Sequence, residues 1–179
     1  MIPIDIIKKY YKEESLLYKI LLTHSFAVAD KALEISRMHP EMSIDEEFVY
    51  EAALLHDVGV IQTKAPKIYC FGEHPYICHG YLGSEIMRKE GFEKHALVCE
   101  RHTGVGLTKN YIISKGFPIP HREMVPVTIE EKLICFSDKF YSKSKPDQVK
   151  TVDQVRKNLS KHGDSSLERF DEMLKLFIG

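Results

Sequence analysis

The chain has 179 residues, a length typical of one globular domain with a substantial hydrophobic core. Its 25 lysine and arginine residues nearly balance 26 aspartate and glutamate residues, which gives a formal net charge of −1. A chain without a basic field does not hold polyanions nonspecifically, so we expect no DNA partner. The 44% hydrophobic and 28% charged content excludes intrinsic disorder and predicts a soluble, folded protein.

Membrane insertion and secretion are also disfavoured. The apolar runs are far shorter than the roughly 18 residues that a membrane-spanning helix needs. The first residues reach Lys8 and Lys9 without the apolar stretch of a secretory signal, so we expect a cytoplasmic protein with no membrane partner. No Cys-x-x-Cys pair is present, and reduced, buried thiols are predicted for Cys70, Cys78, Cys99 and Cys135.

The first half of the chain shows the periodicity of amphipathic helices separated by a long loop. An apolar stripe predicts a helix over residues 17–38. A capping box over residues 43–46 opens a second helix, which Gly59 ends. Residues 60–78 contain prolines and glycine without sustained periodicity, which predicts a loop with an extended piece at residues 68–71.

The second half continues this helical pattern. Helices are predicted over residues 79–91 and from about residue 93 to residues 103–104. Residues 104–127 hold three glycines and three prolines, which indicates an irregular stretch with short strands around residues 111–113.

Three further helices open with capping boxes at Thr128, Thr151 and Ser165. The first of them ends where Lys143, Lys145 and Pro146 follow. The last two, over about residues 152–178, either pack on the core or form a dimer face, so a homodimer is one open alternative. The chain is therefore predicted to be all-α, a single domain over residues 1–179.

Six metal-capable side chains fall on helix faces that the periodicity predicts to be apolar. A lone carboxylate buried in a helical core costs several kcal/mol unless it pairs or binds a metal, and no lysine or arginine shares these faces. If the six side chains converge on a metal centre, the bound cation compensates for the desolvation of all of them. Imidazole and carboxylate ligands without cysteine favour iron, manganese, cobalt, nickel, zinc or magnesium. The six residues are His24, His56, Asp57, His79, His102 and Asp138.

The ordered set of His24, the adjacent pair His56-Asp57 and Asp138, with the local run ALLHDVG, resembles the HD superfamily of metal-dependent phosphohydrolases. The resemblance covers about residues 15–145 and implies a helical bundle of the HD-domain type. Within that superfamily the chain is most similar to small stand-alone HD proteins that have no settled substrate.

His79 and His102 look like the extra histidines of the binuclear HD subset. The resemblance therefore implies two divalent ions that share Asp57, which makes Asp57 the central catalytic residue. It also implies that a metal-bound hydroxide cleaves a phosphate ester or anhydride of a nucleotide-like substrate, so the expected partner is a small phosphorylated nucleotide. On this hypothesis the first ion takes His24, His56, Asp57 and Asp138, and the second takes Asp57, His79 and His102.

Candidate phosphate-binding residues are the basic side chains near the motif. Some relatives follow the His-Asp-x-Gly run with a lysine, but this chain has Val60 there, which puts the usual phosphate contact in doubt. Lys64 and Lys67 lie in the following loop and are candidates to replace it. Further candidates flank the second irregular stretch and the Asp138 helix, namely Lys109, Arg122 and Lys139.

Two other function classes stay open at this stage. A few HD proteins, the inositol oxygenases among them, use a di-iron centre of this ligand type for oxygen chemistry, and the sequence barely separates that reaction from hydrolysis. The third class is a non-catalytic, ligand-binding HD module. Such members usually lose ligands, whereas this chain retains all six.

Overall fold

A computed structural model describes residues 2–162 and 165–179. Within these residues the chain forms nine α-helices and three short strands, which confirms the predicted all-α class. The strands, β1 (Thr63–Ala65), β2 (Cys70–Phe71) and β3 (His74–Pro75), form a small sheet in the order β2-β1-β3. The helices are α1 (Pro3–Tyr10), α2 (Leu16–Met38), α3 (Glu46–Leu55), α4 (His79–Lys89), α5 (Glu93–Arg101), α6 (Lys109–Lys115), α7 (Ile129–Asp138), α8 (Val152–Leu159) and α9 (Ser166–Phe177).

The long helix α2 contributes to two hydrophobic clusters. Val28 and Ile35 on its C-terminal half pack with residues of α3, α7 and α9. Leu17 and Leu21 on its N-terminal half pack with residues of α1, α4 and α5. His24 lies between these two sets, one turn from each, and is buried. The first of the candidate metal ligands is therefore held at the junction of the two clusters.

The two C-terminal helices pack on the core. The Phe136 ring of α7 lies 5.3 Å from the Phe170 ring and 5.6 Å from the Phe177 ring, measured between centroids. Val155 of α8 is buried in the same cluster. Of the two alternatives for this region, packing on the core is the one observed, and the homodimer stays a prediction.

Helix α1 has no counterpart in the sequence prediction. Tyr11, which follows it, is buried and donates its hydroxyl hydrogen to the carbonyl oxygen of Val58 at 2.9 Å. The same hydroxyl oxygen accepts a hydrogen bond from the backbone N–H of Ile61 at 2.9 Å. The N-terminal segment thereby fixes the turn that directly follows His56 and Asp57.

The start and end of α3 differ from the prediction. Ser43 adopts a left-handed conformation with φ of 49°, so it does not cap the helix. Instead the Asp45 side chain accepts a hydrogen bond from the backbone N–H of Phe48. The helix ends at Leu55, four residues before Gly59, because the chain then tightens into a 3-10 turn.

Of the three other predicted capping boxes, the one at Thr151 is complete. Thr128 accepts from the backbone N–H of Glu131, but the Glu131 carboxylate accepts from the N–H of Val127 rather than from Thr128. Ser165 makes no side-chain capping bond, and its hydroxyl accepts from an arginine of the next turn instead.

Local backbone preferences also correct three other predictions. Residues 111–113 lie in α6 rather than in strands, because the Thr108 hydroxyl caps this helix and Gly116 ends it with φ of 61°. The extended piece is shorter than expected, since Tyr69 takes a left-handed conformation just before β2. Helix α7 ends at Asp138, where hydrogen bonds of the 3-10 type turn the chain.

The structure also bears on the cysteines and on membrane-spanning helices. The four cysteines are free and buried, as predicted. Across the two described ranges, no helix combines the length and apolar composition that crossing a membrane requires.

The turn after Asp57 packs directly against the backbone of α4. A Cβ atom built on Gly59 would lie 2.2 Å from the Gly83 nitrogen and 2.2 Å from the His79 carbonyl oxygen, far inside van der Waals contact. Only a glycine allows this approach. The spacing between Asp57 and the first turn of α4 therefore depends on the absence of a side chain at residue 59.

We expect the substitution Gly59→Ala to lower the free energy of unfolding by about 3 kcal/mol or more, since backbone atoms must move apart. Gly116→Ala is the matched control, because Gly116 has open space and only a left-handed φ, for which the cost is about 1 kcal/mol. Urea titrations followed by circular dichroism measure both. Equal losses would show that the close approach at Gly59 does not constrain the fold.

Candidate metal centre

Five helices deliver the six candidate ligands to one buried place, and three of these helices end there. The carbonyl end of a helix carries partial negative charge, so three such ends favour a cation. One histidine lies within a helix and one begins a helix, and the other four residues lie at or directly after helix ends. These positions are His24 within α2, His56-Asp57 after α3, His79 at the start of α4, His102 after α5 and Asp138 at the end of α7.

The Asp57 carboxylate divides the cluster into two halves. Its Oδ2 atom lies 3.2 Å from Nε2 of His24 and 3.0 Å from Nε2 of His56. Its Oδ1 atom lies 3.5 Å from Nε2 of His79 and 3.4 Å from Nε2 of His102. Each carboxylate oxygen therefore faces one pair of imidazoles, and Asp57 itself is completely buried.

Asp138 belongs to the first half. Its Oδ1 atom lies 2.9 Å from Nε2 of His24 and 3.6 Å from Nε2 of His56. In the second half, the Nε2 atoms of His79 and His102 lie 3.0 Å apart. Within each half, all ligand atoms lie within 4.8 Å of one another.

Three of the four histidines are oriented by the same hydrogen bond to the local backbone. The Nδ1 atoms of His56, His79 and His102 lie 2.6 to 2.7 Å from the carbonyl oxygen of the residue three positions earlier. Since a carbonyl oxygen only accepts, each Nδ1 donates, and a neutral ring then presents the lone pair of Nε2 to the cluster. This tautomer is the one that ligates a metal through Nε2.

Several buried polar atoms of the cluster make no well-formed hydrogen bond among the described residues. These buried atoms include Nε2 of His24, Nε2 of His56 and both oxygens of Asp57. Two ligand bonds of about 2.1 Å that meet at 90° to 109° hold their outer atoms about 3.0 to 3.4 Å apart. The contacts of 2.9 to 3.6 Å match that spacing. The donor set therefore fits a divalent cation.

The protonation preferences follow the same division. Burial and the neighbouring imidazole of His102 lower the pKa of His79 to about 3, and burial also lowers the pKa of His102. Burial opposes protonation of His56 as well, but the carboxylates of Asp57 and Asp138 outweigh it and raise the pKa of His56 to about 9. His56 thus favours its charged form beside the two carboxylates, and the second half favours neutral imidazoles.

The cluster opens into a cavity of about 660 Å³. His24, His79, His102 and Asp138 form part of its wall. Among the described residues that line it, Asp138 is the one carboxylate. Four ammonium groups also line it, those of Lys67, Lys139, Lys143 and Lys150.

The expectation that no lysine shares these faces is wrong. The Lys139 ammonium lies 2.7 Å from Oδ2 of Asp138, and the Lys143 ammonium contacts Oδ2 of Asp57. Lys139 directly follows the last residue of α7, and Lys143 lies in the non-helical segment beyond it. Because α7 ends at Asp138, helical periodicity does not predict the direction of either side chain.

The structure separates the five phosphate-binding candidates. Lys67 and Lys139 line the cavity. Lys64 on β1 and Lys109 on α6 are exposed and lie outside its lining. Arg122 also lies elsewhere, because its Nε atom donates to the buried Glu100 carboxylate at 2.6 Å. Val60, at the position where some relatives carry lysine, is fully buried.

Three cavity residues have no place at the site in the sequence prediction. Lys143 and Lys150 lie in a segment without periodicity, so no pattern places them at the cluster. The Tyr76 ring stacks on His79 with centroids 4.7 Å apart. A signal for this contact exists, since residues 76 and 79 are one helical turn apart.

Comparison with known proteins agrees with the geometry. The HD domain family matches residues 21–142, a region that contains all six clustered residues. The chain belongs to the HD domain family. The resemblance inferred from the ordered histidines and aspartates is thus confirmed.

Several curated proteins are similar to this HD domain. The uncharacterized protein MJ0778 of Methanocaldococcus jannaschii is 33% identical over 81% of this chain and 80% of its own length. A tRNA (cytidine(56)-2'-O)-methyltransferase of Thermoplasma volcanium is 27% identical over 92% of this chain, and one of Picrophilus torridus is 30% identical over 70%. The matched segments span only 46% and 33% of these two proteins. No solved structure matches the chain significantly.

The two halves of the cluster predict different effects of single substitutions on metal content. Asp57→Ala should abolish binding in both halves, since its oxygens face both, whereas His79→Ala should remove mainly the ion of the second half. Elemental analysis of protein purified without chelators measures this, and melting temperatures should fall with the metal lost because metal binding stabilises the folded state.

His74→Ala is the matched control, because His74 is exposed on β3 and lies outside the cluster. Asp57→Asn keeps the shape of the side chain and tests the charge alone. An equal loss of metal in Asp57→Ala and His79→Ala would refute the division into two halves.

Proposed function

We propose that this HD domain is a metal-dependent phosphohydrolase that acts on a phosphate ester or anhydride of a nucleotide-like substrate. The observation that carries the proposal is the Asp57 carboxylate, whose two oxygens face two separate imidazole pairs at the wall of a lysine-lined cavity. Two ligand sets that share one carboxylate are suited to two divalent ions close together.

In this proposal Asp57 belongs to both ligand sets. When bound, divalent ions supply a nucleophile from water near neutral pH and neutralise charge on the phosphoryl group. The protein fixes the geometry, because the Nδ1 bonds of His56, His79 and His102 prevent their rings from turning. The first set is His24, His56, Asp57 and Asp138, and the second is Asp57, His79 and His102.

The charge of the cavity favours an anionic substrate. Four lysines outnumber the one carboxylate among its described lining residues. Burial lowers the pKa of Lys150, the Asp138 carboxylate opposes this shift, and the positive charges of Lys139 and Lys143 add to it. A group that carries negative charge relieves this crowding of ammonium groups, as a phosphate does.

The size and walls of the cavity suit a nucleotide. Its volume lies within the range of about 300 to 1,000 Å³ that is usual for small-molecule sites. Tyr111 and Phe117, which pack edge to face, line it and offer apolar surface to a base. Two relatives are named for modifying a tRNA cytidine, and this chain matches less than half of each, so their names support only a nucleotide-like substrate.

The cationic lining favours hydrolysis of a phosphorylated compound over oxidation of an uncharged one. A panel of mononucleotides, dinucleoside polyphosphates and cyclic nucleotides, assayed with added Mn²⁺, tests the reaction class. We expect turnover that requires the divalent ion and persists without oxygen, since no redox step is involved. In water labelled with heavy oxygen, the label should appear on the released phosphate or nucleotide phosphate.

Two results would contradict this proposal. Turnover that requires oxygen, or label that enters carbon, would assign the chain to the oxygenase class with the same six residues. Absence of both turnover and nucleotide binding across the panel, with the ions bound, would favour a non-catalytic module. The variant Asp57→Asn provides the control for contaminating phosphatases.

A further inference from the structure

Lys143 differs from the other partly buried lysines of the cavity in its partners. The Lys139 ammonium is held by Asp138 and by the carbonyl oxygen of His102 at 3.2 Å. The Lys150 ammonium donates to the carbonyl oxygens of residues 139 and 141. The Lys143 ammonium instead contacts Oδ2 of Asp57, the oxygen that also faces two imidazoles.

A divalent cation and the Lys143 ammonium require the same oxygen. Oδ2 of Asp57 is 3.2 Å and 3.0 Å from the Nε2 atoms of His24 and His56, so a cation held by these three groups lies against that oxygen. The two halves of the cluster face different oxygens of Asp57, whereas the ammonium and a cation of the first half would share the single oxygen Oδ2, where their positive charges repel strongly. The two cations are therefore alternatives at Asp57.

The chain around Lys143 permits movement away from Asp57. Lys143 lies in a non-helical segment between α7 and α8, and its side chain lines the cavity. Its side chain is 12% exposed, in contrast to the completely buried Asp57. The ammonium also interacts with the phenol of Tyr76. The Tyr76 ring stacks on the His79 ring at the cavity wall.

We propose that Lys143 is an internal competitor of the metal at Asp57 and that, when a divalent cation binds, its ammonium turns into the cavity to hold the anionic group of the substrate. The competition between Lys143 and the metal requires only a metal centre at Asp57. The role of Lys143 in anion binding rests on the proposed phosphohydrolase function. Lys143 is in this sense a substrate-binding residue that links metal loading to anion binding.

Titration of Mn²⁺ by calorimetry tests the competition. A lysine that occupies Asp57 for about nine-tenths of the time weakens apparent metal affinity about tenfold. The variant Lys143→Met should therefore bind the first Mn²⁺ about tenfold more tightly, with Lys143→Gln as a second variant if methionine impairs folding. Lys67→Met is the matched control, because it removes a cavity lysine that is exposed, and its affinity should stay within about twofold of the parent.

Binding of inorganic phosphate to the Mn²⁺-loaded protein tests the role of Lys143 in anion binding. Lys143→Met should weaken phosphate binding about tenfold, since one charged contact is lost, and Lys143→Arg should restore most of it. Equal Mn²⁺ affinities for Lys143→Met and Lys67→Met would overturn the competition. Tighter Mn²⁺ binding with unchanged phosphate affinity would overturn the anion role. A parent protein that binds no Mn²⁺ would instead refute the metal centre and the proposed function with it.

Discussion

The structure depends on the burial of one carboxylate. Asp57 is fully removed from solvent, and both of its oxygens lack a well-formed hydrogen bond within the described residues. Nearby positive charge and imidazoles hold its pKa well below the usual range despite the burial that opposes ionisation. A buried anion of this kind must be matched by cations, and the four histidines and Lys143 are arranged around that requirement.

The helices meet this requirement through their ends. Residues at or just beyond a helix C-terminus are close to carbonyl groups that lack partners within the helix. His56 and His102 bind such carbonyls through Nδ1, which satisfies the backbone and directs Nε2 inward in one step. The close backbone contact at Gly59 then sets α4, with His79 at its first turn, against the segment that follows Asp57. Capping, packing and ligand geometry are therefore parts of one arrangement.

Much of this could be predicted from the sequence, for a physical reason. A histidine or aspartate such as His24 or Asp138 on an apolar stripe conflicts with burial, and that conflict is visible in local periodicity. The pairing of Arg122 with Glu100 is a long-range contact that no local pattern encodes, so proximity in sequence to the motif was misleading. Lys143 lies in a segment without periodicity, and its contact with Asp57 depends on where α7 ends.

The central claim is that Asp57 is shared between two metal ions. Anomalous diffraction at the manganese edge, from crystals of the Mn²⁺-loaded protein, tests it most directly. The account predicts two peaks, one beside Oδ2 of Asp57 near His24 and His56, and one beside Oδ1 near His79 and His102. A single peak, or peaks that do not contact Asp57, would contradict it.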